Sequence, residues 1–452
     1  MAPNGRMAEL VDALDSKSGC SNTVRVQVPL RPPRLLVVLM KIAIFSDCYL
    51  DLTGGIVTNI NADKAELEKR GHTVYIFSSA YPRSKKKLEQ LTKKHIYPVK
   101  SCHIFGRGLT PIARRPKVIE KNLKKTHPEL KDFDIFYIHY EAGCSIAGLR
   151  LAKEFKIPSV QVMHGREDVG EEKLIPKGLR TLVAASLNLF HSWYIPHEVK
   201  IHRDNYLANT IAKAKMWTLM VNHANFADLV LTPSEHFREK LLLYGAKKPI
   251  ISLHHGVSDE LLKVEVAPKT LKPGQPLEII WHSRLSGEKR ILPFLKALTK
   301  VKHPYHLSLY GEGVEAEQAK LYAKAHRLNT TFYGVASQDA IQKALKKSHL
   351  DVLVSYNYDT FGMILLEATA SGVPVLIADP ALEEILPPNG FVLTENETPG
   401  EIANAINELC EHPENIEKMS KIQISARKTK GMTAKSQKLE KIFKMLLQNQ
   451  KL

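Results

Sequence analysis

The residues best suited to chemistry lie between Tyr358 and Val375, in the run Tyr-Asp-Thr-Phe-Gly-Met-Ile-Leu-Leu-Glu and, after two residues, Ala-Ser-Gly-Val-Pro-Val. Asp359 is a residue type that caps a helix, its carboxylate accepting from the free amides of the first turn. The amides of Phe361, Gly362 and Met363 would then stand at a helix N-terminus, a ready site for an anion. Gly362 offers no side chain where a phosphate would approach. Glu367 falls two turns along on the sheet side, where a buried carboxylate needs a partner such as sugar hydroxyls. A second group, Ser283-Arg284-Leu285-Ser286-Gly287-Glu288-Lys289, puts two cations in one loop. Gly54-Gly55 forms a turn after the first apolar run, and His164 stands just past the run Ser159–Met163. A side chain at the carboxyl end of a parallel strand points toward a cleft.

These residues must be positioned by a repeated pattern of short apolar runs and helical text. The first half has runs at Lys41–Ser46, Val74–Ser79, Ile135–His139, Ser159–Met163 and Leu229–Thr232, with a helix over Asn59–Arg70 closed by Gly71-His72. The pattern restarts with runs at Glu278–His282, His306–Tyr310, Thr331–Tyr333, Asp351–Ser355 and Pro374–Ile377, and a helix over Thr360–Ser371. Between the halves, residues 261–276 are rich in Lys and Pro and read as a linker. A chain of 452 residues is long for one core. The pattern predicts an α/β protein of two Rossmann-like domains, 40–260 and 277–430, facing a central cleft, with 431–452 as a C-terminal helix or tail. Residues 1–39 stand apart. Arg25-Val26-Gln27-Val28-Pro29 can be encoded by DNA containing the GTTCAA of a tRNA T-loop, and Gly5 to Pro33 resembles the translation of a tRNA gene. The expectation is a non-native leader from a mis-assigned start, with the fold beginning at Met40.

The Asp359 to Glu367 pattern resembles the carboxylate-x7-Glu motif of retaining family 4 glycosyltransferases, group 1 glycosyl transferases of the two-Rossmann-domain (GT-B) type. Those usually read Glu-Gly-Phe-Gly-x4-Glu-Ala. Here the first carboxylate is Asp359, shorter by one bond or about 1.5 Å, and Thr360 stands where glycine is usual. The resemblance implies that Asp359 meets the donor sugar hydroxyls and Glu367 the nucleotide ribose. Ser283 to Lys289 is similar to the family's Gly-Arg-Leu-x-x-Glu-Lys, which implies that Arg284 and Lys289 clamp a departing diphosphate without metal. Gly54-Gly55 falls on the loop whose amides approach that diphosphate, and His164 matches the active-site histidine that touches the donor hexose. The resemblance therefore implies His164, Asp359, Arg284 and Lys289 as catalytic residues. It implies Gly54, Gly55, Arg284, Lys289, Phe361, Gly362, Met363 and Glu367 as the nucleotide-sugar site. The donor it implies is UDP-glucose or another UDP-hexose, with no cofactor and no metal expected. His139-Tyr140-Glu141 and His164 to Asp168 are loosely similar to diacylglycerol glucosyltransferases, implying a lipid or glycan acceptor. Thr232-Pro233-Ser234-Glu235, His255-Gly256-Val257 and Gly311-Glu312-Gly313 fall at the family's domain-end and donor-side loops. The match spans Lys41 to Lys430 and is poor from Glu171 to Ala214, where an acceptor-specific insertion is expected. A nucleotide-sugar epimerase, a glycogen-type synthase and a non-catalytic sugar-nucleotide-binding protein remain as alternatives.

Charge and composition address the partners. The net charge is +17, and between Arg83 and Lys131 there are 15 Lys/Arg against three Glu. Pro116 suits a helix start. Val118, Ile119 and Leu123 then share a face, ringed by Lys117, Lys121, Lys124 and Lys125. That pattern predicts an interfacial helix, with residues 83–131 meeting an anionic membrane surface. Nucleic acid is not expected, because no RNP, KH or helix-turn-helix text accompanies the charge. No apolar run reaches 18 residues, so no spanning helix is expected. The five cysteines form no CxxC and the 19 histidines no HExxH, so no zinc site is indicated. The expected location is cytoplasmic, peripheral on the inner face of the cell membrane.

Overall fold

The computed structural model describes residues 39–48, 55–80, 85–102, 112–113, 115–169 and 175–449. The proposed leader, apart from Leu39, and Gly54 lie outside these residues.

Two sheets form the framework. The first has strands β1 (Lys41–Ser46), β2 (Thr73–Ala80), β3 (Ile96–Cys102), β4 (Ile112–Ala113), β5 (Ile135–His139), β6 (Ser159–Val162), β7 (Leu229–Thr232) and β8 (Ile250–Ser252). Their spatial order is β4-β3-β2-β1-β5-β6-β7-β8. The second has β9 (Leu277–His282), β10 (Tyr305–Tyr310), β11 (Thr330–Gly334), β12 (Leu350–Leu353), β13 (Val375–Ile377) and β14 (Phe391–Leu393), ordered β11-β10-β9-β12-β13-β14. Every pairing is parallel except β3 with β4. Helices cover both faces at the centre of a parallel sheet, so central strands such as β1 and β5 are buried on both faces, whereas β10 and β11 toward the edge alternate. Ile42, Ile44, Val74, Ile76, Leu277 and Ile279 are accordingly buried. Both sheets reverse direction of winding beside their first strand, which is where an α/β sheet opens a crevice for ligand. β1 is flanked by β5, and β9 by β12.

The chain crosses between the domains twice, and the crossings touch. Val257 bridges Gly431 in parallel. A Cβ on Gly256 would lie 2.9 Å from the Gly431 backbone, so the crossing requires glycine there. After it, the helix Met432–Asn449 returns to the first domain. Its Leu439, Ile442 and Phe443 join the core of Ile42, Ile44 and Val74, and Glu440 pairs with Arg70. The segment expected as a tail is thus part of the first domain's core.

Two local expectations are corrected. The helix read over Thr360–Ser371 runs from Met363 to Ala370. The basic helix Pro116–Thr126 exists, but its apolar face is not free. Ile119 and Leu123 are buried in the first domain's core, packed with Leu149 and Ile146, and only Val118 stays exposed. Arg150 reaches Glu120 at 2.6 Å and Lys124 pairs with Glu154, tying the helix to Gly143–Phe155 beneath it. The stripe packs on its own domain because a three-residue apolar face is what a surface helix needs to dock.

Candidate active site

Three segments meet at the carboxyl edge of the second sheet. The loop after β9 carries Arg284 and Lys289, the loop after β12 carries Asp359, and the helix Met363–Ala370 carries Glu367. Lys289 Nζ lies 2.6 and 2.8 Å from the two Asp359 carboxylate oxygens, and little of either side chain reaches solvent. Ser355 Oγ donates to the same carboxylate. Lys289 also sits 5.4 Å from the centre of the Tyr358 ring. Asp359 therefore does not cap the helix. Gly362 holds the N-cap position, without a side-chain bond to the first-turn amides. The glycine is there for packing and conformation, because φ is +73° and a Cβ would meet Leu353 Cδ2 at 2.9 Å. Arg284 is at the rim, its guanidinium 3.0 Å from the Tyr358 hydroxyl and 3.3 Å from Glu288. The weak Gly311-Glu312-Gly313 signal proves structural. Cβ atoms on these glycines would come 2.2 Å from the Ser283 and Leu285 carbonyl oxygens, so the two loops touch backbone to backbone. Leu285 N donates to Glu312 O at 3.0 Å, which fixes the loop bearing Arg284.

Glu367 is backed by two residues that sequence reasoning missed. His282 ends β9, with Nδ1 3.4 Å from Glu367 and Nε2 2.9 Å from Asp351 on β12. Burial opposes charge on this imidazole, yet the two carboxylates push its pKa up to about 10. His282 is thus a buried cation that orients Glu367. The signal was present in the sequence, since His282 follows the apolar Ile279, Ile280 and Trp281, and Asp351 stands among Leu350, Val352 and Leu353.

The facing wall comes from the first domain. His164 Nε2 and His139 Nδ1 are 2.8 Å apart, and the rings stack at 5.0 Å between centroids. Burial, reinforced by the positive charge of Lys435, pushes the His164 pKa down to about 3. Burial and His164 likewise hold His139 well below the usual range, and burial with Lys435 does so for His255. Lys435 comes from the returning C-terminal helix and is itself paired with buried Asp63 and hydrogen-bonded to Asn59. The histidines are therefore neutral hydrogen-bonding groups. No local motif could place Lys435 here, because it lies 271 residues beyond His164.

Beside them is a pair of acids, Glu141 and Glu167. Burial, opposed by the Tyr140 hydroxyl at 3.4 Å and aided by Asp168, pushes Glu167 up to about 7. Glu141 is raised well above the carboxylate range by burial and by Glu167, and its Oε1 is buried without a hydrogen-bond partner. Tyr140 between them has φ +89°, a strained value for an aromatic residue, held by Gln161 donating to its carbonyl at 3.0 Å.

Contacts across the cleft join the walls. Thr360 Oγ1 donates to the His164 carbonyl at 2.7 Å, and Arg166 Nη1 to the Asn357 carbonyl at 2.7 Å. Glu384 of the second domain accepts from the Glu235 and His236 amides and from His236 Nδ1, capping the helix Glu235–Leu243 of the first. The segment Thr232 to Glu235 leads into this helix, and the cap is supplied by the other domain. A Cβ on Gly55 would lie 4.0 Å from Met363. The structure thus brings His164, Asp359, Lys289, Gly55, Gly362 and Met363 to one cleft, with Arg284 at its rim and Glu367 deeper. The Phe361 ring is buried edge-on to His255 at 4.8 Å. Among the described residues, no group of three or more His, Cys, Asp or Glu is arranged to hold a metal ion.

Two family models divide the chain at the same crossing. Residues 53–261 match the family described as Glycosyltransferase Family 4, and residues 263–429 match Glycosyl transferases group 1. The chain belongs to the GT-B glycosyltransferases. It is an enzyme that transfers a sugar. The glycosyltransferase is 24% identical over 355 residues to an alpha-monoglucosyldiacylglycerol synthase of Streptococcus pneumoniae, a match covering 75% of this chain and 70% of that one. The protein of the same name from Acholeplasma laidlawii is 31% identical over 128 residues, 28% of this chain and 30% of that one. Solved structures share the fold. Anabaena HepE in complex with UDP superposes with a TM-score of 0.62 at 16% identity, covering 90% of this chain and 100% of that one. Staphylococcus aureus TarM gives 0.64 at 14% identity, covering 89% of this chain and 98% of that one.

Proposed function

We propose that this glycosyltransferase moves a hexose from a nucleoside-diphosphate sugar, UDP-glucose or another UDP-hexose, to a hydroxyl of a lipid or glycan acceptor, with retention of configuration and without metal. The observation that carries the reading is the Lys289–Asp359 pair at the carboxyl edge of the second sheet. A cation suited to a leaving diphosphate next to a carboxylate suited to sugar hydroxyls supports this reading.

As the glycosidic bond to phosphate breaks, negative charge grows on the departing nucleoside diphosphate. Arg284, Lys289 and the uncapped amides of the Met363–Ala370 helix stabilise that charge as it forms. Lys289 shifting toward the phosphate frees Asp359 to accept from a donor hydroxyl. Glu367, fixed by protonated His282, accepts from the ribose hydroxyls. Neutral His164 hydrogen-bonds the hexose and adds no positive charge beside a sugar carbon that becomes electron-poor. The acceptor enters along Tyr140, Glu141 and Glu167. HepE is solved with UDP and with UDP-glucose, and the two synthases named above make, by their names, a glycolipid; both support the assignment.

The test is a panel of UDP-, GDP- and ADP-hexoses offered with diacylglycerol, glycolipid and soluble glycan acceptors, in EDTA and in Mg²⁺, with the product's anomeric configuration read by NMR. The expected outcome is an α-linked product from a UDP-hexose, insensitive to EDTA. A β-linked product or a strict Mg²⁺ requirement would overturn the mechanism.

A further inference from the structure

One helix of the first domain is apolar on the side that faces away from the protein. Arg180–Ser192, reading Arg-Thr-Leu-Val-Ala-Ala-Ser-Leu-Asn-Leu-Phe-His-Ser, carries a single charged residue, although a quarter of the chain is charged. Its inner face packs Ala184 against Ala212, Met216 and Leu219, and buries His191. Its outer face presents Leu179, Leu182, Ser186, Leu189 and Trp193. The spacing of three and four residues puts all five on one stripe, opposite Ala184 and His191. Leu182 is 65% exposed, Leu189 55% and Trp193 66%. A helix that is apolar all round is ordinarily buried all round. Among the described residues, this one has protein on one side only.

We propose that this stripe docks on an anionic lipid surface. Charge favours that occupant. From Ile175 to Lys215 there are six Lys/Arg (Lys177, Arg180, Lys200, Arg203, Lys213 and Lys215) against Glu198 and Asp204. Asp204 is already engaged by the Tyr244 hydroxyl at 2.6 Å. Area favours it too. A helix of this length offers a strip of about 20 by 10 Å, far below the roughly 800 Å² per partner of a stable protein pair. A bilayer needs no complementary surface, and a tryptophan at the end of such a stripe suits the headgroup level. The docked helix also reaches the cleft. His191 Nε2 is 3.0 Å from His223 Nδ1, His223 Nε2 is 3.1 Å from Gln161, and Gln161 donates to the Tyr140 carbonyl. The acceptor wall is therefore held to the helix that meets the lipid.

The proposal is independent of donor chemistry and is tested without donor. Of the three tryptophans, Trp217 and Trp281 are buried, so Trp193 emission reports the stripe. Vesicles of phosphatidylglycerol and phosphatidylcholine should shift that emission to the blue and sediment the protein, less so as salt rises. Leu182→Ser with Leu189→Ser should lower vesicle affinity at least tenfold while UDP affinity, measured by calorimetry, stays unchanged. Lys177→Ser with Lys215→Ser, which leaves the apolar stripe intact, should lower it severalfold on anionic vesicles. An unshifted Trp193, or equal binding to pure phosphatidylcholine, overturns the proposal. So does a wild-type dimer in size exclusion that the leucine substitutions dissolve, since a second copy would then cover the stripe.

Discussion

The two walls of the cleft handle charge in opposite ways. On the donor side each carboxylate has its cation: Asp359 has Lys289, and Glu367 with Asp351 has His282. On the other wall Glu141 and Glu167 lie side by side with no cation paired to either among the described residues, and burial holds both above the carboxylate range. The histidines there are held neutral, and Tyr140 is strained. A site that receives a fixed, highly charged group can be built in advance from matched ion pairs. A wall built from neutral histidines, acids that resist ionisation and an exposed apolar helix suits an uncharged acceptor that keeps its apolar portion elsewhere. On the proposed function, the difference assigns recognition of the donor to charge and recognition of the acceptor to hydroxyl geometry and surface.

The sharpest way to break that contrast is to remove the donor-side pair. Lys289→Ala should cut kcat/KM by about 10²–10³-fold and weaken UDP binding about 10- to 100-fold. Asp359→Asn should lose transfer to a similar extent while binding UDP at least as tightly as wild type, since Lys289 is released. Equal loss of UDP binding in both variants would show that the pair acts only as a structural unit. Single-turnover assays with UDP titrations separate the cases.

Next in size is the basic helix, where the contrast predicts burial rather than membrane contact. Leu123→Ala should destabilise the protein by about 2–4 kcal/mol. Lys121→Ser, Lys124→Ser and Lys125→Ser should each stay within about 0.5 kcal/mol. Urea denaturation distinguishes this packed helix from a free interfacial one.

A smaller effect is expected where the walls meet. Glu384→Ala removes a cap that one domain places on the other's helix, at about 1–2 kcal/mol. Burial opposes its ionisation, but hydrogen bonds from His236, His254 and two amides hold its pKa below the usual carboxylate range. Its contribution is therefore present above the unfolded value of about 4.5 and lost as pH falls through the lower folded value. The melting difference between wild type and variant should be full at pH 7 and shrink in acid.

The smallest expected shift concerns the acceptor-side acids. Burial raises the Glu167 pKa to about 7 from its ordinary value of 4.5, so ionising it costs full stability above about 7 and nothing below about 4.5. Glu167→Gln should melt higher than wild type at pH 8 and equal to it at pH 4. An unchanged gap across that range would mean that Glu167 is not buried against Glu141.

Much of the donor wall was legible in the sequence because its residues are local. Arg284 and Lys289 share one loop, and Asp359 and Glu367 flank one helix start, so backbone spacing alone keeps each set together. The alternation of apolar runs and helices likewise announced two parallel sheets, since strands buried on both faces have no other way to read. What the pattern could not say is which polar atom meets which. Asp359 looked like a cap and is instead the partner of Lys289, because positive φ at Gly362 starts the helix three residues later. Ile119 and Leu123 looked free because a stripe of three apolar residues reads the same whether it faces lipid or a neighbouring helix. The electrostatics of His164 depend on Lys435, which arrives only because the chain crosses back at Gly431 and packs its last helix into the first core. Charge acts over a few ångströms of space and not of sequence. The chain by itself determined the fold class and the donor motif, and only the tertiary structure decided which groups are charged and which faces remain open.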